Sequence, residues 1–201
     1  MSATASVPVP QDVLTLSLTT QREALDAQSV QTQLKAALEQ ALAQAKRSNL
    51  GPALEVHTGH FHVSPRTDRN GKVSGWAGSA ELVLQGRDFA RLGELAGQLT
   101  TLTVANASFA LTEPQRQAAQ SQAQSQAIAL FLQRAQEAAK SFGYASFSLL
   151  EASLNANDFG GGRPPLMAMS TRAAAAEAPL PLEAGVTTVS VTVSGSVQLT
   201  H

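Results

Sequence analysis

At 201 residues and 43% hydrophobic content, the chain can bury a sizeable core as one domain or two small lobes. Its 14 basic residues balance 15 acidic ones, which removes the one-sided positive charge that phosphate-backbone binding requires, so no nucleic-acid partner is expected. The absence of cysteine excludes disulfide frameworks, thiol nucleophiles, Cys-ligated zinc and iron–sulfur sites.

Along the chain, Leu14, Leu16 and Leu18 alternate over residues 13–18 and predict a half-buried strand beginning after Pro8 and Pro10. From 26 to 48, Val30, Leu34, Leu38, Ala41 and Ala45 fall at helical spacing, with Gly51-Pro52 as the stop. Residues 54–63 and 75–85 read as strands, and the turn dipeptide Asn70-Gly71 between them predicts a hairpin. Asp88 is placed to cap a short helix whose Phe89, Leu92, Leu95, Ala96 and Leu99 share a face, and 102–111 follows as a strand. Thr112 and Gln115 have the spacing of a capping box opening a long helix. Ala127, Phe131, Ala135, Ala138 and Phe142 form its apolar stripe, and Gly143 stands where a left-handed C-terminal residue belongs. The Gln-rich half of this helix, Gln117 to Gln126, is expected to project from the sheet or to pack on another chain.

Residues 147–154 give another strand. The Gly-, Pro- and Ala-rich stretch 157–182 then reads as a long flexible loop. Within it, Met167 and Met169 offer an adaptable contact surface, with plain disorder an equal reading. The clean alternation from Val189 to Leu199 ends the chain in a strand. The expected fold class is α+β, with antiparallel or mixed sheets packed against a few helices in the order β-α-β-β-α-β-α-β-β. One domain over 7–200 is expected, divisible into lobes 7–100 and 101–200.

Several stretches in order resemble the SIMPL-domain (YggE-like) family of bacterial cell-envelope proteins. They are Pro10 to Leu14, Thr58 with Val63-Ser64-Pro65, Gly71 to Trp76 leading into Ser79 to Leu84, Glu113 to Arg116, Lys140 to Gly143, and Pro181 to Gly185. The sequence departs from many members at its opening, where Ala3 to Val7 replace a glycine-rich Gly-x-Gly strand. The resemblance implies an α+β envelope protein, usually exported, with no established catalysis and with large ring-like oligomers in some members. It carries no catalytic residues to map. On this basis the chain is expected to be a non-enzymatic, self-associating periplasmic protein serving stress tolerance or envelope integrity, with a homo-oligomer as its partner state.

The apolar runs fall far short of the roughly 20 residues that cross a bilayer, so no membrane-spanning helix is expected. The first residues resemble no signal peptide, so a periplasmic location calls for a leader absent from this sequence, with a cytoplasmic location as the other reading.

The alternative function is a small-ligand or metal-binding module built on His57, His60 and His62. In a regular strand His60 and His62 share one face and His57 takes the other, and two imidazoles at that spacing can grip a metal. A stable site needs more ligands, and no acidic residue is pinned beside them by local spacing, so a polar face of ordinary histidines is the favoured reading. No catalytic, cofactor-binding or metal residues are assigned and no cofactor is expected. A hydrolase with residues that converge only in three dimensions ranks last. Ser194-Gly195-Ser196 lies within a strand, and Gly160 to Arg163 lacks the Lys-Ser/Thr of a phosphate loop. Trp76 and Phe61 are expected to pack on the hairpin as core or interface.

Overall fold

The computed structural model describes residues 1–48, 54–157 and 182–201. The elements run β1 (Ser2–Pro10), β2 (Val13–Ala24), α1 (Ala27–Arg47), β3 (Leu54–Thr67), β4 (Val73–Gly86), α2 (Phe89–Gln98), β5 (Thr103–Ala110), α3 (Glu113–Ser141), β6 (Ser146–Asn157) and β7 (Val186–Thr200). Two antiparallel sheets result, with strand orders β3-β4-β2-β5 and β1-β7-β6, so the fold is α+β as expected. Each sheet belongs to its own compact unit. Among the described residues the four-stranded unit holds 12–48, 54–110 and 182–184, and the three-stranded unit holds 1–11, 111–157 and 185–201. Instead of successive lobes at 7–100 and 101–200, the units are nested, the three-stranded one being built from both ends of the sequence. The expected loop 157–182 lies almost wholly outside the described residues, as do Gly51-Pro52, Gly160 to Arg163, Met167 and Met169.

In the four-stranded unit the alternation of β2 turns Leu14, Leu16 and Leu18 inward, and β4 answers with Ala80, Leu82 and Leu84. The register sets Leu16 opposite Leu84 and Leu18 opposite Leu82, so cross-strand leucine pairs form one apolar face. Onto that face α1 lays Val30, Leu34, Leu38, Ala41 and Ala45, and α2 lays Leu92, Leu95 and Ala96. Each fully buried leucine contributes roughly 1.5–3 kcal/mol. Asp26 starts α1 by accepting from the Ser29 N–H at 2.8 Å and the Ser29 hydroxyl at 2.7 Å. Those two bonds hold its carboxyl below its ordinary value. Asp88 caps α2 as expected, accepting from the Arg91 N–H at 3.2 Å. α1 lies close over Gly78 of β4: a Cβ there would lie 2.8 Å from Val30 Cγ1 and 2.8 Å from the His62 carbonyl.

The three-stranded unit has a different core. Ala119, Ala123, Ala127, Phe131, Ala135 and Ala139 make a four-residue-spaced row along α3, buried against Ala3, Val7 and Val9 of β1 and Val189, Val191 and Val193 of β7. Small side chains let the helix backbone approach the sheet, and Phe131 is the one bulky filler on the row. Sequence reading and structure part at several points. β1 is an added strand, which the prolines at 8 and 10 conceal; both are tolerated because β1 is an edge strand paired only with β7. The row ends on Ala139 and not on Ala138 and Phe142, because α3 stops at Ser141 and leaves Phe142 as a C-cap that is 73% exposed. Thr112 is the N-cap, yet it makes no side-chain cap bond, so the capping box does not form. The Gln-rich half does not project, since Ala119 and Ala123 hold it to the sheet. Gly143 takes the expected left-handed conformation, with φ 82°.

Candidate functional site

The β3–β4 hairpin places the three histidines, and a bulge decides where they point. Thr58 pairs with Leu82 and Phe61 with Ala80, so Gly59 and His60 together oppose the single residue Glu81. The extra residue shifts the alternation by one. Thr58 and Phe61 both turn toward α1, where they line a cavity of about 380 Å³ with Leu38 and Leu42, and Phe61 remains 47% exposed. His57, His60 and His62 therefore all lie on the opposite, helix-free face, which corrects the expectation that His57 points away from the other two. Gly59 makes room for this. A Cβ at 59 would collide with the Glu81 carboxylate.

On that open face a chain of hydrogen bonds crosses three strands. Ser17 of β2 donates to Glu81 Oε1 of β4. Glu81 Oε2 accepts from the His60 backbone N–H at 3.2 Å and lies 2.7 Å from His60 Nδ1. His60 Nε2 lies 3.3 Å from the Ser79 hydroxyl. The His60 side chain is half exposed and that of Glu81 one-fifth exposed. The ring bond from His60 is the main cause holding the Glu81 carboxyl below its ordinary value, followed by the His60 N–H; burial opposes them, and the nearby His60 and His57 imidazoles add the least. An ionised Glu81 fixes the proton of His60 on Nδ1 and leaves Nε2 to accept from Ser79. Ser79 also borders a second cavity, of about 180 Å³, lined by Gln21, Arg22, Glu23, His62, Ser64, Ala77 and Gly78.

Sequence reading named the histidines and missed Ser17, Ser79 and Glu81. The signal was present in the turn. A two-residue turn at Asn70-Gly71 would mirror His62 onto Ser79 and His60 onto Glu81; the turn closes instead between Asp68 and Lys72, and a second register shift at Arg66/Thr67 brings His62 opposite Ser79 all the same. Trp76 packs against the leucine core as expected, while Phe61 stays largely exposed and borders the cavity beside α1. Arg66 pairs with Glu23 across the same sheet. Among the described residues no group of three or more His, Asp or Glu side chains is placed to hold a metal ion.

The three-stranded unit carries a second feature. β6 is an edge strand of 12 residues, and Leu149, Leu150 and Leu154 on it are 51%, 63% and 46% exposed. Leu154 pairs with Val193 and Leu149 with Val197, both on the face that α3 covers; α3 sits over β1 and β7 and only grazes β6. Arg134 reaches Ser2 of β1 from one flank of α3, which turns the opposite flank, bearing the exposed Ile128 and Leu132, toward β6. Leucines on an edge strand thus lie beside exposed apolar residues on a helix flank.

Two antiparallel sheets, each with helices on one face, define an α+β protein whose distinguishing surfaces are a histidine-bearing open sheet face and an apolar strand edge. The chain belongs to the SIMPL family, described as a protein of unknown function (DUF541), whose model matches residues 1–197. No curated protein matches the chain. Among the described residues no helix is long and apolar enough to cross a membrane.

Proposed function

We propose that this SIMPL protein is a self-associating component of the bacterial cell envelope, located in the periplasm, that serves envelope integrity or stress tolerance through assembly. The observation that carries self-association is β6. An edge strand presents a row of unpaired backbone donors and acceptors, and proteins that stay monomeric blunt such edges with proline, lysine or short length. Here β1 carries Pro8 and Pro10, β3 carries Pro65 and Arg66, and β5 has only 8 residues. β6 has 12 residues, no proline, no basic side chain and one charge, Glu151. A second copy supplies the same strand, so an antiparallel β6 to β6 pairing joins two three-stranded sheets and covers Leu149 and Leu154 on both. The envelope setting rests on family membership.

Light scattering at micromolar concentration tests the assembly. A mass that is a multiple of 20.9 kDa is expected, and a mass of 20.9 kDa across the concentration range would contradict it. The bulge that gathers His57, His60 and His62 on one face favours a second reading, a small-ligand site on the open sheet. Its test is calorimetry with small polar ligands, zinc among them, against the His60→Ala variant.

A further inference from the structure

The open face of the four-stranded sheet holds a serine, an imidazole and a carboxylate in sequence, and we propose that Ser79 is an acyl-accepting nucleophile activated by His60, with Glu81 as the positioning residue. This goes beyond the assembly reading and depends on a different unit. Such a relay is recognised by geometry and roles, whatever the chain order of its members. Glu81 Oε2 stands 2.7 Å from His60 Nδ1, and His60 Nε2 stands 3.3 Å from Ser79 Oγ. The Ser17 hydroxyl anchors the other carboxylate oxygen, and the His60 N–H anchors the first again, so the carboxylate is held from both ends. The pKa shift of Glu81 agrees with this, since an ionised carboxylate is what fixes the imidazole tautomer.

Ser79 is also the one member of the relay that borders the cavity of about 180 Å³. That volume admits a short acyl group and little more. Gln21 and His62 are the register partners of Ser79 on its two neighbouring strands and line the same cavity, so polar side chains flank Ser79 on both sides. The substrate class that fits is a short-chain activated ester, aryl ester or thioester. In the step, Ser79 Oγ attacks the acyl carbon while its proton passes to His60 Nε2. The tetrahedral centre then expels the alcohol or thiol, which takes that proton as it leaves. One acyl–oxygen bond forms, one ester or thioester bond breaks, and no oxidant or reductant is needed.

The test treats the full-length protein with p-nitrophenyl butyrate and, separately, with a fluorophosphonate ester, followed by intact-mass measurement and peptide mapping. One adduct per chain on Ser79 is expected with both probes, absent in Ser79→Ala. Labelling should slow at least tenfold in His60→Ala and in the near-isosteric Glu81→Gln, with far-UV circular dichroism showing that each variant is folded. Should His60→Ala not fold, Glu81→Gln alone decides. No adduct on folded wild-type protein, an adduct elsewhere than Ser79, or labelling undiminished in a folded Glu81→Gln would each overturn the proposal.

Discussion

The four-stranded unit lays two helices over its sheet and fills the layer between with leucine, whereas the three-stranded unit lays one helix over its sheet and fills the layer with alanine and valine. Bulky side chains hold helices apart from a sheet and let two of them spread over four strands. Alanines let one helix lie close, and a close helix covers little width. The consequence differs at the edge. Leu14, Leu16, Leu82 and Leu84 are fully buried in the first unit, while Leu149 and Leu154 stay half exposed in the second because α3 sits over β1 and β7 and only grazes β6. What α3 leaves bare is the surface to which the proposed second copy is assigned.

If the thin layer depends on a single bulky residue, removing it should give the largest effect. Phe131→Ala is expected to destabilise the protein by about 3–5 kcal/mol, because the surrounding alanines cannot collapse into the space. A urea titration followed by circular dichroism would show this, and a loss below about 1 kcal/mol would mean that the alanine layer packs without its filler. Next comes the contact that brings α1 onto the leucine layer. Gly78→Ala puts a methyl group against Val30, Leu34 and a backbone carbonyl, and should cost about 1–3 kcal/mol by overpacking. An unchanged urea midpoint would show that α1 can lift without penalty.

The smallest expected effect belongs to the open face. Glu81→Gln weakens the link between β2, β3 and β4 and should cost about 1 kcal/mol near neutral pH. The sign of its pH dependence follows from the lowered carboxyl. Glu81 stabilises the fold fully above its ordinary value of 4.5, and the contribution disappears as pH falls through the lower folded value. Wild type and Glu81→Gln should therefore converge in stability as the medium is acidified below that point. A gap that persists or widens in acid would show that the carboxylate has no favourable partner in the folded state.

Much of this architecture was legible in the sequence, and the parts that were not have physical reasons. β2, β4 and β7 announce themselves because one face of each is buried and the other is not, which writes a period of two into Leu14–Leu16–Leu18 and Val189–Val191–Val193. β1 stayed hidden because proline is a poor sign of a strand unless the strand is known to be an edge, which is a property of the assembled sheet. His57 was placed on the wrong face because one inserted residue at Gly59 reverses the alternation for everything beyond it. Glu81 lies 21 residues from His60 and reaches it only through the hairpin register. The bareness of β6 could not be read at all, since Ser146–Asn157 looks like any half-buried strand until the width of α3's coverage is known.

The central claim is that β6 is an unfinished edge which a second copy completes, and sedimentation velocity on wild type beside a Leu149→Lys/Leu154→Lys variant tests it most directly. Wild type should sediment as a multimer, and the variant as a folded species of 20.9 kDa, because two ammonium groups on that strand cannot be buried against a second apolar edge. A variant that assembles as wild type does would contradict the account.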